Sequence, residues 1–298
     1  MGKVIARLFG GMGNQLFIYS AARRLALVSG RELVLDDRSG FAEDKVYRRN
    51  CQLQHFMVAG RSATAAERFE PFGKLRRYLN RRLESRRPFD LRRYIVQEGV
   101  DFDARLLTLR PKGDCYLEGY WQSEDYFKDV EPIIRQDLTI KLPTDPVNQR
   151  VARDIESSSC PVAVHLRFFE PAAQGSTQHA PPDYYRRALA MLAAKSPQAD
   201  FFVFSDRPDL AQESGLFPAQ CTTFVSHNLG DEWAYADLWL MTLCRHHIIA
   251  NSTFSWWGAW LASQPDKIIV APGPMFITSP SPSIQASPSP SMTVTISI

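Results

Sequence analysis

The sequence predicts an α/β protein built as two Rossmann-like halves with parallel sheets facing a cleft. Three observations carry this. Strand-like and helix-like segments alternate along nearly the whole chain. Strands of the second half, such as "PVAVHLRFF" and "DFFVFSD", are continuous apolar runs, as expected of strands buried on both faces. The chain has 298 residues, 45% of them hydrophobic, enough for one large or two ordinary domains.

In chain order, "KVIARLF" reads as a strand and "GGMG" as a turn. "NQLFIYSAARRLALVSG" reads as a helix, with apolar residues at Leu16, Phe17, Ala21, Leu25 and Val28 and Gly30 as its stop. "ELVLDD" is a second strand ending in acid. From Gly73 to Tyr94 arginine pairs recur between Leu and Tyr, predicting an amphipathic helix broken at Pro88. It is either a solvated surface helix or a basic face for an anionic membrane or a phosphate-bearing acceptor. "GDCYLEGYWQSEDYF" reads as strand, turn and an aromatic-rich helix start, and "KLPTDPVN" as a linker.

Beyond the linker, strand and helix alternate through "PVAVHLRFF", "PDYYRRALAMLAAKS", "DFFVFSD", "RPDLAQESG", "CTTFVSH", "DEWAYADLWLMTLC", "HHIIANS", "WWGAWLAS" and "DKIIVAP". The expected domains are two Rossmann-like halves, residues 1–145 and 146–277. A Ser/Pro tail over 278–298 should be disordered, because it offers little apolar surface to bury.

The formal net charge of +3 is mildly basic and suits a phosphorylated small molecule as well as nucleic acid. Five scattered cysteines, with no CxxC pair, read as reduced thiols of a cytoplasmic protein. Cys244 lies near His246 and His247, too few ligands for a zinc site. No stretch reaches the roughly 18 apolar residues of a spanning helix, and the N-terminus reads as a first strand rather than a signal peptide.

Ligands of open α/β sheets bind at the carboxyl ends of the strands. Polar clusters fall at four such ends: Gly10 to Gln15, His165 with Arg167, Ser205 with Asp206, and Asn251 to Ser255. The candidate site residues drawn from them are Gly11, Gly13, Asn14, His165, Arg167, Asp206, Asn251, Ser252, Thr253, Phe254 and Ser255. "NSTFS" ahead of a helix offers hydroxyls and free amides to a phosphate, while N-capping by Ser252 or Ser255 is the plain alternative. Arg167 is either a phosphate fork or half of a surface ion pair. Asp237 could cap, pair, or accept the N1–H and N2–H of guanine. "GGMGNQ" with Asp36 or Asp37 imitates a dinucleotide fingerprint, but Leu16 occupies the third glycine position. "DFD" at 101–103 imitates a metal-binding acid pair and reads as surface acid.

"GGMGNQLFIYSAARRLA", "GYWQSEDYF", "VHLR", "FFVFSD" and "DLWLMTLCRHHIIANSTFSWWGAWL", in that order, resemble the bacterial α-1,2-fucosyltransferases of glycosyltransferase family 11. The resemblance spans about residues 4–276. It implies a GDP-fucose donor and a GT-B-like architecture with residues 1–145 as the acceptor-side half and 146–277 as the GDP-fucose-binding half, an inverting transfer to the 2-hydroxyl of a terminal galactoside, and no metal or other cofactor. Among partners it implies a galactose-terminated glycan and no nucleic acid; peripheral membrane contact through Gly73–Tyr94 is an expectation from that segment's basic pattern, which carries no family signal. Arg167 would bind the donor β-phosphate, His165 would help hold the nucleoside, and Asp237 would read guanine. Ser252 and Thr253 would bind phosphate, and Asn14 would face the sugar. The family's His-x-Arg-Arg-Gly-Asp-Tyr block stands here as "HLRFFEP", with Phe168 for the second arginine and Glu170 for the acid. Glu170 is the first carboxylate to name as catalytic beside Arg167. The alternatives are a nicotinamide-dependent oxidoreductase and a non-catalytic nucleotide- or glycan-binding protein.

Overall fold

A computed structural model describes residues 2–42, 44–168, 180–273 and the backbone of 294–297. The chain divides into two compact units, the first running to Lys141 and the second starting at Leu142.

Unit 1 contains strands β1 (Lys3–Arg7), β2 (Glu32–Asp36), β3 (Arg61–Ser62), β4 (Tyr94–Val96) and β5 (Cys115–Glu118). Its helices are α1 (Met12–Ser29), α2 (Gly73–Glu84), α3 (Arg105–Thr108) and α4 (Glu131–Asp137). The sheet order is β3-β2-β1-β5-β4, with all pairings parallel. α1 starts behind Gly11 and stops at Gly30, which takes the left-handed conformation (φ 60°) that a side chain would resist. Arg24 fastens α1 to the far end of the unit through a forked pair with Asp129 and a bond to the Leu107 carbonyl. Where a helix start is expected after "GYWQS", the chain makes only short 3-10 turns, the first capped by Ser123.

Unit 2 contains β6 (Pro161–Leu166), β7 (Asp200–Ser205), β8 (Thr222–Val225), β9 (His246–Ile248), β10 (Ile268–Ala271) and β11 (Val294–Ser297). Its helices are α5 (Pro146–Ser157), α6 (Pro182–Lys195), α7 (Pro208–Glu213), α8 (Ala234–Leu243) and α9 (Thr253–Leu261). The order is β11-β10-β9-β6-β7-β8, again parallel throughout. Every residue of β6 is buried, as a run interrupted only by His165 predicts. Asp145 caps α5 by accepting from the Asn148 amide at 2.8 Å, and Pro146 takes the first helical position.

Residues 294–297 depart from the expected disordered tail. They form an edge strand on β10, consistent with the consecutive β-branched residues of "VTI"; residues 274–293 lie outside the described part.

The sheet of unit 2 encloses two histidines. His165 on β6 and His247 on β9 are 3% and 0% exposed. Burial, helped by nearby Arg167 for His165 and by Lys267 and His246 for His247, lowers each imidazole from 6.5 to about 3. An unfolded chain binds these protons below pH 6.5 and the folded one does not, so stability falls as pH drops. Each histidine contributes up to about 1.4 kcal/mol per pH unit between those values. Urea titrations at pH 7, 6 and 5 should show a falling midpoint; a flat profile would mean that the folded protein accepts the protons.

Candidate functional site

In unit 2 the chain moves from β6 outward through β7 to β8, then returns to place β9 on the other side of β6. The order therefore reverses between β6 and β9, and their carboxyl ends flank the crevice that such a reversal leaves. His165 and Arg167 stand at the end of β6, and residues 251–255 at the end of β9.

These two ends touch. The His165 ring lies 5.5 Å from the Phe254 ring, centroid to centroid. The Tyr185 hydroxyl donates to the His165 carbonyl at 3.1 Å and fixes the strand end from behind. Buried and uncharged, His165 can present its ring as a flat or hydrogen-bonding surface but not as a cation. Its Nδ1 and the Oδ1 of Asn251 are buried and find no hydrogen-bond partner among the described residues. Buried polar atoms are nearly always paired, so two orphans at one crevice mark where a ligand's polar groups would fit.

Arg167 is partly exposed, with its Nε 3.4 Å from Asp206 Oδ2. Asp206 Oδ1 also accepts the Phe168 amide at 2.9 Å. Asp206 thus steadies the turn after β6 and the guanidinium together. Ser252 is the N-cap of α9, accepting from the Phe254 amide at 3.3 Å. The plain capping alternative holds for that hydroxyl, and Thr253 begins the helix. Ser255 is fully buried, and its hydroxyl donates to the Ser252 carbonyl. Glu170 lies outside the described residues.

Asp237, in the first turn of α8, belongs to a second cluster. Asn228 Nδ2 donates to its Oδ1 at 2.8 Å. Asn228 and fully buried Asn148 bond to each other, and Asn148 Oδ1 also faces His227 Nε2 at 3.0 Å. Burial pushes the Asp237 carboxyl up to about 7, against the pull of the Asn228 hydrogen bond. Sequence reasoning missed Asn148, His227 and Asn228, which meet Asp237 only through the fold.

Unit 1 shows the same reversal between β1 and β5. Gly11 caps α1 in an extended conformation, and Gly13 is buried in its first turn. Asn14 accepts from Gln122 Nε2 at 2.8 Å, joining the first turn of α1 to the loop after β5. The β5 loop is constrained: Trp121 is fully buried at a left-handed φ of 53°. Its amide and that of Tyr120 donate to Gln97 Oε1 at 2.9 and 2.8 Å. A buried aromatic held in this region is a functional pointer, and the Gly-aromatic-aromatic run of "GYW" was its signal. Asp36 turns inward to Ser39 and Tyr116, which denies it the ribose role of a dinucleotide site. Asp103 is engaged by Arg105 at 2.6–3.0 Å, and no group of potential metal ligands occurs among the described residues.

The family model of glycosyl transferase family 11 matches residues 78–276. The chain belongs to glycosyltransferase family 11. This family-11 chain is 27% identical to the O-antigen biosynthesis glycosyltransferase WbnK of Escherichia coli, over 90% of its own length and 93% of the relative's. It is 28% identical to an α-1,2-colitosyltransferase of Escherichia coli, over 93% of each chain. In fold it is similar to the NodZ α-1,6-fucosyltransferase soaked with GDP-fucose, with a TM-score of 0.51 at 16% identity over 88% of this chain and 93% of that one. It is also similar to a mutant of Arabidopsis thaliana FUT1 in complex with GDP, with a TM-score of 0.54 at 14% identity over 95% and 72%. The fold of this family-11 chain is thereby GT-B-like.

The tight β5 loop yields a stability prediction. A Cβ on Gly119 would lie 2.5 Å from the Gln97 Cβ and 2.9 Å from the Trp121 ring. Gly119→Ala should cost about 1–3 kcal/mol as an overpacking substitution, read as a lower urea midpoint; an unchanged midpoint would show that the loop relaxes freely.

Proposed function

We propose that this glycosyltransferase moves L-fucose from GDP-fucose to the 2-hydroxyl of a terminal galactoside, with inversion and without a metal. The observation that supports it most is that Arg167 and the start of α9 stand at the carboxyl ends of the adjacent strands β6 and β9, where the order reverses, together with the orphaned Nδ1 of His165 and Oδ1 of Asn251. A nucleoside diphosphate suits that chemistry: the amides at a helix start favour phosphate, and a guanidinium matches its oxygens. The sugar has a second reading, because one relative is a colitosyltransferase; activated fucose and activated colitose, offered in competition, separate the two.

In the reaction, the bond from the anomeric carbon to the β-phosphate oxygen breaks and its electron pair stays on the departing GDP. Arg167 and the α9 amides stabilise that charge. The acceptor hydroxyl oxygen attacks from the opposite face, and its proton passes to a carboxylate, for which the motif supplies Glu170. The acceptor is a galactose-terminated glycan, and the basic segment 73–94 brings a cytoplasmic enzyme to a membrane surface.

Asp237 is assigned to the guanine edge, where an ionised carboxylate accepts two N–H groups at once. Its carboxyl titrates near 7 in the free protein, so below that pH binding must first expel a proton. GDP affinity should rise as pH increases from 6 to 8, with the steepest gain below 7. Asp237→Asn should weaken binding by about 1–3 kcal/mol and lose that part of the pH dependence. Calorimetry at three pH values checks this; equal GDP and ADP affinities in the native protein would remove the assignment.

Arg167→Lys keeps charge but not the planar fork. Turnover should fall by about two orders of magnitude, on the order of 3 kcal/mol of transition-state stabilisation, with the melting temperature unchanged. Steady-state kinetics with GDP-fucose and a galactoside acceptor test both this residue and the reaction. A loss of under about fivefold would place leaving-group stabilisation elsewhere.

A further inference from the structure

Helix α2 is inside out. Its residues that turn inward are polar: Arg77 and Glu84 are 7% and 8% exposed, and Asn80 is half-buried. They lie three or four positions apart, on one helical face. Glu84 accepts the Arg93 amide at 2.6 Å, and beside that face Arg81 reaches Glu118 at 2.7 Å. The leucines point the other way: Leu75, Leu79 and Leu83 are 57%, 48% and 58% exposed, and Phe72, immediately ahead of the helix, is 77% exposed. Spacings of three and four residues align them in one stripe.

Cations border the stripe on both sides. On a helical wheel Arg76 falls on one rim and Arg82 on the other. Arg76 bonds the carbonyls of Phe69 and Glu70, and Arg82 the Tyr78 hydroxyl. These partners are neutral, so the positive charge of both rims persists. The helix "GKLRRYLNRRLE" holds one acid, Glu84, and that acid faces inward. A second copy of the chain is a poor occupant. A two-fold contact would use the same patch on both copies and set like-charged rims together.

We propose that α2 lies in the plane of an anionic lipid bilayer, with Phe72, Leu75, Leu79 and Leu83 sunk to the level of the acyl chains and the flanking arginines at the headgroup phosphates. This makes the membrane contact of the proposed function specific to one helix face, and it is independent of the donor assignment. Through Arg81 and Glu118, α2 is tied to the carboxyl end of β5. Docking would therefore bring the acceptor-side crevice of unit 1 near the surface.

The test is sedimentation of the full chain with vesicles, in the absence of nucleotide. Wild type should bind vesicles containing phosphatidylglycerol and bind pure phosphatidylcholine at least tenfold more weakly, with the difference shrinking at high salt. A Leu75→Ser, Leu79→Ser, Leu83→Ser variant should lose at least tenfold in vesicle affinity with no fall in melting temperature. Arg76→Gln with Arg82→Gln should reduce mainly the preference for anionic lipid. The proposal is overturned if wild type ignores anionic vesicles, or if the triple variant binds them equally. It is also overturned if light scattering finds a dimer that the triple variant dissolves, which would give the face to a second copy. Failure to bind GDP would count against the donor reading and leave the vesicle result standing.

Discussion

Both units depend on one constraint: a strand at the middle of a parallel sheet that takes its next neighbours first on one side and then on the other. Parallel strands need crossovers that return the chain to the same starting edge, so all carboxyl ends share the opposite edge. Where the direction of winding reverses, the connections leave in opposite senses and nothing covers the edge between them. In unit 2 that gap lies between β6 and β9, and in unit 1 between β1 and β5. The residues of chemical interest follow from position. Arg167 is the first residue past β6, Ser252 caps the helix after β9, and Asn14 and Gln122 meet past β1 and β5.

Charge is arranged around the unit 2 gap with economy. His165 is kept neutral by burial, so it adds no repulsion beside Arg167. Arg167 is held by a carboxylate whose other oxygen is committed to the Phe168 backbone. That commitment bears on the replacement of the family's second arginine by Phe168. The position still supplies its amide to Asp206, while its side chain packs against the core of unit 2. Asp206 therefore ties the Arg167 guanidinium to the backbone at Phe168. Asp237 is placed differently, in an amide cluster anchored to the start of α5. Asn148 is fully buried there and satisfied by Asp145, His227 and Asn228.

The sequence made the strand ends legible because a buried parallel strand announces itself as an apolar run and its first polar residue marks the edge. "VAVHLR" and "HHIIANS" both read this way, and Gly30 marked the end of α1 through a backbone requirement. Less was legible where few residues carry the signal. β3 has two residues and β4 three, too short for any period. The four hydroxyl and amide positions of "NSTFS" read as one cluster, but helical geometry separates them, turning Ser255 inward while Ser252 caps. In the Asn148–Asn228–Asp237 cluster one bond joins residues 80 apart in sequence, which no local pattern reveals. Residues 294–297 pair with β10 although a Ser/Pro-rich composition argued against order, because "TVTIS" at its end has strand character of its own.

Helix α2 shows a further limit of periodicity. A hydrophobic stripe predicts that a helix has two unlike faces, and ordinarily the apolar one turns inward because burial of each leucine is worth about 1.5–3 kcal/mol. Here the inward positions are satisfied by the rest of unit 1, Arg77 bonding the Arg68 carbonyl and Glu84 accepting the Arg93 amide, while beside them Arg81 pairs with Glu118. Burial raises the Glu118 carboxyl, but the Tyr94 hydroxyl, Arg81 and Arg7 outweigh it and hold the group below the usual carboxylate range. A charged inner face of this kind is stable only when each partner is present, since removing one strands the others. Leu75, Leu79 and Leu83, about half exposed or more, therefore contribute little to the folding of unit 1. Serine at these exposed positions would leave the inward contacts of Arg77 and Glu84 whole. An apolar stripe that folding does not require, bordered on both sides by arginine, is accounted for by what lies outside the protein rather than by what lies inside it.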